Sequence, residues 1–170
     1  MPQFNFNFVK KTQKTKGDLD IQDLIIAGWT GRDAEAVEKH ILELEKIGIS
    51  RPSSTPIFYR ASPDLLTQGE KITVIGNNTS GEVEVFIVFV EGELWLGVGS
   101  DHTDRETEAY SVAISKQACA KPISRTLWNY KDVEAHWDRL LLRSFVTIEG
   151  ERQIYQEGEL SSMMGIETLI

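Results

Sequence analysis

Cysteine is almost missing from this chain. Cys119 is the only one in 170 residues, which excludes an internal disulfide framework and a zinc site built on several thiolates and fits a reducing compartment. Long apolar runs are missing too: none approaches the ~20 residues of a membrane-spanning helix. The opening "MPQFNFNFVKK" alternates polar and apolar residues and lacks the apolar centre of a signal peptide. Positive charge is in deficit, with 26 acids against 18 bases and a formal charge of −8. That balance argues against a nucleic-acid or anionic-membrane surface, both of which need a positive face. The one basic run, Lys10 to Lys16, ends in Gly17-Asp18 and reads as a solvated hairpin or loop. The expectation is a cytoplasmic protein with no nucleic-acid and no membrane partner.

With 41% hydrophobic and 9% aromatic residues, the chain can bury an ordinary core, and its length suits one domain over residues 1–170. Phe4, Phe6 and Phe8 alternate with Asn5 and Asn7 at strand period, and "DLIIAGW" is a short, more buried strand. "TGRDAEAVEKHILELEKIGI" is the best helix. Thr30 and Asp33 form a capping-box-like pair, Val37, Ile41 and Leu44 share a face, and Gly48 stops it. "KITVIG", "GEVEVFIVFV" and "ELWLGVG" are strand candidates between Asn/Gly and Glu-Gly turns, and "YSVAIS" is a further one. A short helix or loop from Trp128 precedes two strands around Glu149-Gly150. The class expected is α+β, strand-dominated, a mixed β-sandwich or roll with one or two helices at its periphery.

Glu82 and Glu84 are two apart in an extended segment and project from one face, beside Phe86 and Val88. Two like charges next to an apolar stripe are unfavourable unless water or a cation compensates them. A solvated strand end would explain them; so would a metal. Asp101 follows "LWLGVG", whose Gly97 and Gly99 let another backbone come close. If the two strands pair around Glu91–Glu93, three carboxylates converge. Such a set suits a hard cation, Mg²⁺ or Mn²⁺ with Ca²⁺ as a further option, better than zinc, because His102 is the only neighbouring nitrogen ligand.

"GEVEVFIVF", "VGSDHTDRETE" and Lys116 in "ISKQACAKP" together resemble the fumarylacetoacetate hydrolase superfamily. Its members carry Glu-x-Glu on a strand, then N-D-x-[ST]-x-R-D-x-Q, then a lysine before a proline-containing loop. Ser100, Asp101, Thr103, Arg105 and Glu106 fall on the second motif in order, with Ser100 and Glu106 departing from it. Arg60 stands at an upstream lysine position, and "GWTGRDAEAVEKH" at a "G-x-N-Y-x-x-H" segment. "GW-x-GRD" and "GSDHTDR" are closest to a bacterial branch of unknown function, and the resemblance spans residues 20–160.

The resemblance implies a divalent-metal enzyme for a small 2-oxo acid or 1,3-dicarbonyl compound, cleaving or decarboxylating a C–C bond through a metal-stabilised enolate. Glu82, Glu84 and Asp101 would be metal ligands, and Lys116 would meet a carboxylate or developing oxyanion. The family histidine position is Ala34, so the acid–base residue is unassigned. His102 beside Asp101 is a candidate catalytic group or a core histidine, and His40 reads as a surface histidine. Arg32 and Asp33 at the helix start would bind and orient substrate or serve as an ordinary cap and surface charge. His136 and Arg105 read as structural. The family's glycine-rich T-G-T-P segment has no counterpart after Leu160, and the apolar ending Met163 to Ile170 reads as a strand seeking a partner. A homodimer or larger homo-oligomer is therefore expected. A catalytically silent relative, acting as a metal- or ligand-binding or a structural domain, is the alternative.

Overall fold

The computed structural model describes every residue of the chain except position 47. It opens with a hairpin of β1 (Gln3–Lys10) and β2 (Gln13–Asp20), followed by β3 (Leu24–Gly28). Helix α1 (Ala34–Glu45) comes next, then β4 (Ile57–Ala61), which pairs antiparallel with β3. Asp33 alone caps α1, accepting from the Glu35 and Ala36 N–H groups. Thr30 has no part in the cap; its carbonyl accepts from Met164 N–H instead. Past Glu45 the Gly48 N–H donates to the Glu45 carbonyl, and Gly48 takes a φ of +91° that its missing Cβ permits.

Two short strands, β5 (Leu66–Thr67) and β6 (Thr79–Ser80), flank "KITVIG". That segment is not a strand. Ile72 and Val74 are half-buried while Lys71, Thr73 and Ile75 are exposed, so it keeps the period of an extended chain without a partner to complete a ladder. β7 (Val83–Val90) and β8 (Glu93–Ser100) then form the central hairpin. Its two-residue turn has Glu91 at φ 50° and Gly92 at φ 80°, which suits the right-handed twist of the paired strands.

β9 (Thr103–Asp104) pairs with β6 and leads into α2 (Arg105–Tyr110) and α3 (Val112–Ala118). "YSVAIS" is thus helical rather than a strand. Its valine and isoleucine suggest period two, but Ser111 caps the helix, and Ser115, Lys116 and Cys119 are buried together at helical spacing. β10 (Lys121–Pro122), β11 (Thr126–Asn129), α4 (Tyr130–Val133), the long hairpin of β12 (Leu141–Ile148) and β13 (Glu151–Glu159), and α5 (Ile166–Leu169) complete the chain.

The main sheet runs β2-β1-β11-β8-β7 and is mixed, because β11 lies parallel to β1 and antiparallel to β8. The chain is therefore α+β and strand-dominated, with more short helices than the periodicity suggests. Apolar side chains cover both sheet faces. Phe4, Phe6, Trp95 and Leu127 form one core, joined by Phe86 and Val88. Leu96, Trp137, Leu160 and Ile166 form the other, joined by Val85 and Ile87. The apolar chain end is not an unpaired strand: Met163 bridges to Gly31, and Ile166, the first residue of α5, is buried in the second core. Met163 and Ile166 pack into the second core, whereas Ile170 stays 71% exposed. No helix among the described residues is long and apolar enough to cross a membrane.

Candidate metal centre

The register of β7 on β8 builds the centre. Val83 pairs with Ser100 and Glu84 with Gly99, so Glu82 and Asp101 meet just beyond the last rung. The Asp101 N–H donates to the Glu82 carbonyl at 2.9 Å. One carboxylate oxygen each from Glu82, Glu84 and Asp101 lies within 4.8 Å of the other two. Both glycines of β8 serve this packing. A Cβ on Gly97 would fall 2.1 Å from the Phe86 ring, whereas Gly99 admits a backbone, with Pro122 O at 3.1 Å from its ideal Cβ.

Three cations border the acids. Lys116 Nζ stands 2.6 Å from Asp101 Oδ2 and 3.1 Å from Glu82 Oε2, and donates to Thr103 Oγ1, which in turn donates to the Asp101 carbonyl. Arg105 reaches Glu82 at 2.9 Å and Glu108 at 2.8 Å, and its Nε donates to Ser80 Oγ. Lys121, only 3% exposed, lies 3.0 Å from Asp101 Oδ1 and donates to the His102 carbonyl. The approach to Oδ1 is close but off the angle of a hydrogen bond, so this buried oxygen has a charged neighbour and no donor.

These contacts set the protonation states. Burial works against the charge on Lys116, but Asp101 and Glu82 outweigh it and hold the ammonium above its ordinary range. Burial likewise opposes the Glu82 carboxylate, while Lys116 and Arg105 pull it below the usual range. Glu84 differs. Lys116 and Lys121 pull on it only from a distance, and burial, then Asp101 and Glu82, push its carboxyl up to about 7.

A donor set of three carboxylates, with one buried oxygen lacking a donor and one acid lacking a direct ion pair among the described residues, fits a hard dication with oxygen ligands. Glu82, Glu84 and Asp101 are the residues that could hold it.

The acids open on a cleft of about 890 Å³, walled on the far side by α1 and the loop before it. His40 lines this cleft, its ring 5.7 Å from that of Trp29. Trp29 has φ 59°, unusual for a bulky residue and a sign of local strain at the foot of α1. Tyr59 stands in the same wall, its hydroxyl pushed up by burial.

The candidate catalytic residues separate. Lys116 belongs to the centre. His102 does not: it alternates away from Asp101, pairs with Thr79 Oγ1 at 3.0 Å, and lines neither that cleft nor its neighbour. Burial lowers its pKa. Arg32 and Asp33 border the cleft but are engaged. Arg32 forks onto Asp138 and donates to the Met163 carbonyl, and Asp33 holds the α1 cap. Lys121, Trp29, Tyr59 and Glu108 were not foreseen. Of these, Lys121 alone carries a sequence signal, its spacing from Asp101 across a segment whose valine and isoleucine suggest a strand but which folds as α3.

Residues 27–170 match the family described as "Protein of unknown function (DUF2848)", and the chain belongs to that family. No curated protein matches it. Among solved structures it is similar to the one described as "Crystal structures of Cg1458", with a TM-score of 0.61 and 17% identity over 86% of this chain and 58% of that one. The chain thus spans little more than half of that protein's length, and the likeness at this identity is one of fold.

Proposed function

We propose that this member of the family is a divalent-metal-dependent enzyme of the fumarylacetoacetate hydrolase type, acting on a small 2-oxo acid or 1,3-dicarbonyl compound by C–C hydrolysis or decarboxylation. The observation that carries this reading is Glu84: a half-buried carboxyl with no direct ion pair among the described residues, only the more distant pull of Lys116 and Lys121, held beside Glu82 and Asp101 where they line a cleft. Mg²⁺ or Mn²⁺ at these three residues would supply charge to the substrate's oxo and carboxylate oxygens as negative charge builds on them. The protein's own groups do the rest. Lys116, kept charged, meets a substrate carboxylate or oxyanion at the edge of the centre. Arg105 orients Glu82 and, through Glu108, fixes the rim. His40, on the opposite wall, is the imidazole that lines the cleft and takes the acid–base role.

The reading includes a cytoplasmic homo-oligomer. In support, the β12–β13 hairpin exposes Leu141, Phe145, Ile148 and Ile154. The insertion of Lys116 between Asp101 and Glu82 favours one other reading, a silent relative whose centre is neutralised from within. Turnover of oxaloacetate and of an acylpyruvate with Mg²⁺ separates the two. The enzyme reading expects metal-dependent product, lost in Lys116→Ala. Tight Mg²⁺ binding without product from any member of a 2-oxo acid panel would establish the silent relative.

A further inference from the structure

We infer that the substrate of this centre carries an extended, uncharged apolar tail, housed in a second cavity that opens from the same carboxylates; this rests on the metal-dependent 2-oxo acid reading above. The second cavity measures about 820 Å³ and runs along the free edge of β7. Ala27, Thr30, Glu84 and Asp101 line both cavities, so the centre sits at their junction.

The two arms differ in chemistry. The first presents Arg105, Glu108 and Lys116 to a ligand. The second is walled by Leu66, Phe86, Val88 and Ile123, and its mouth by Ile25 and Phe58, which are 53% and 48% exposed. Apolar side chains left open to water along a groove gain by being covered. Continuity with the centre names what covers them: the remainder of a molecule whose oxo acid end is held at Glu84 and Asp101. Asp20 and Glu91 also line this cavity and would repel an anionic tail end, while Lys121, which lines it too, is engaged by Asp101 at the centre and Asp23 is paired with Arg60. An alkyl or aryl substituent satisfies both conditions, and a volume in the range of small-molecule pockets accommodates it.

The test is calorimetric titration of the full chain in Mg²⁺ with oxalate, pyruvate, 2-oxohexanoate and 2-oxooctanoate. Affinity should rise roughly fourfold per added methylene until the groove is filled. Ala27→Leu, which narrows the passage between the cavities, should return 2-oxooctanoate to the pyruvate level. Ile25→Glu, an exposed change at the mouth that leaves the core intact, should cut the gain of the longest acid at least tenfold. Oxalate binding with a flat chain-length series would overturn the tail and leave the metal reading standing. No Mg²⁺-dependent oxalate binding would overturn both. A flat series in which Ile25→Glu also splits an oligomer would assign the groove to a second copy of the chain, against this inference.

Discussion

Asp101 faces Glu82 across the open end of the β7–β8 hairpin, its N–H donating to the Glu82 carbonyl at 2.9 Å. The hairpin turn fixes which residues meet there, and with them the three acids. A slip of one residue would send Glu84 to the other face of the sheet. The centre is therefore local in sequence, and its chemistry depends on how the surroundings charge it.

Glu84 should make metal binding and stability depend on pH in opposite ways. Its carboxyl is raised from 4.5 to about 7, so between those values the folded chain holds a proton that the unfolded chain has released. Stability of the metal-free protein then falls as pH rises through that window, by about 3 kcal/mol from this group. Glu84→Gln should remove the decline, as measured by urea unfolding at pH 5 and pH 8. Mg²⁺ affinity of the wild type should instead rise up to about pH 7 and release a proton, read as a binding heat that differs between buffers.

Lys116 is held by two carboxylates inside the protein. Lys116→Met leaves Asp101 and Glu82 short of a cation and should destabilise the metal-free chain by ~3–5 kcal/mol. Saturating Mg²⁺ should restore much of that loss in thermal unfolding, whereas turnover should stay abolished.

Gly97 gives way to the Phe86 ring. Gly97→Ala should destabilise by at least ~1–3 kcal/mol, since the new Cβ would lie 2.1 Å from Phe86 Cζ. Phe86→Leu in the same chain should recover part of it in denaturant unfolding.

Arg32 and His40 should separate cleanly. Arg32→Ala breaks the fork onto Asp138 and the tie to Met163, lowering the melting temperature with little change in kcat per folded molecule. His40→Ala should leave the melting temperature in place and lower kcat by ~10²–10⁴.

Strand periodicity made the hairpins at either end and the central β7–β8 pair legible, with Glu82, Glu84 and Asp101 among them, and helical spacing did the same for α1. Legibility fails where tertiary partners decide. "KITVIG" has strand character but no neighbour to pair with, and "YSVAIS" becomes a helix because Ser111 caps it and Lys116 must turn inward to Asp101. Lys121 shows at most a spacing in the sequence for a related reason: its role depends on β10 crossing near Gly99, a contact far from either residue's local pattern. His102 misled because adjacency to Asp101 along an extended chain places the two side chains on opposite faces.

The most direct test of the central claim is Mg²⁺ titration by calorimetry at pH 7.5 of the wild type, Glu84→Ala and Asp101→Ala. The account predicts one Mg²⁺ per chain in the wild type and at least tenfold weaker binding in each variant. Equal, weak binding in all three proteins would contradict it.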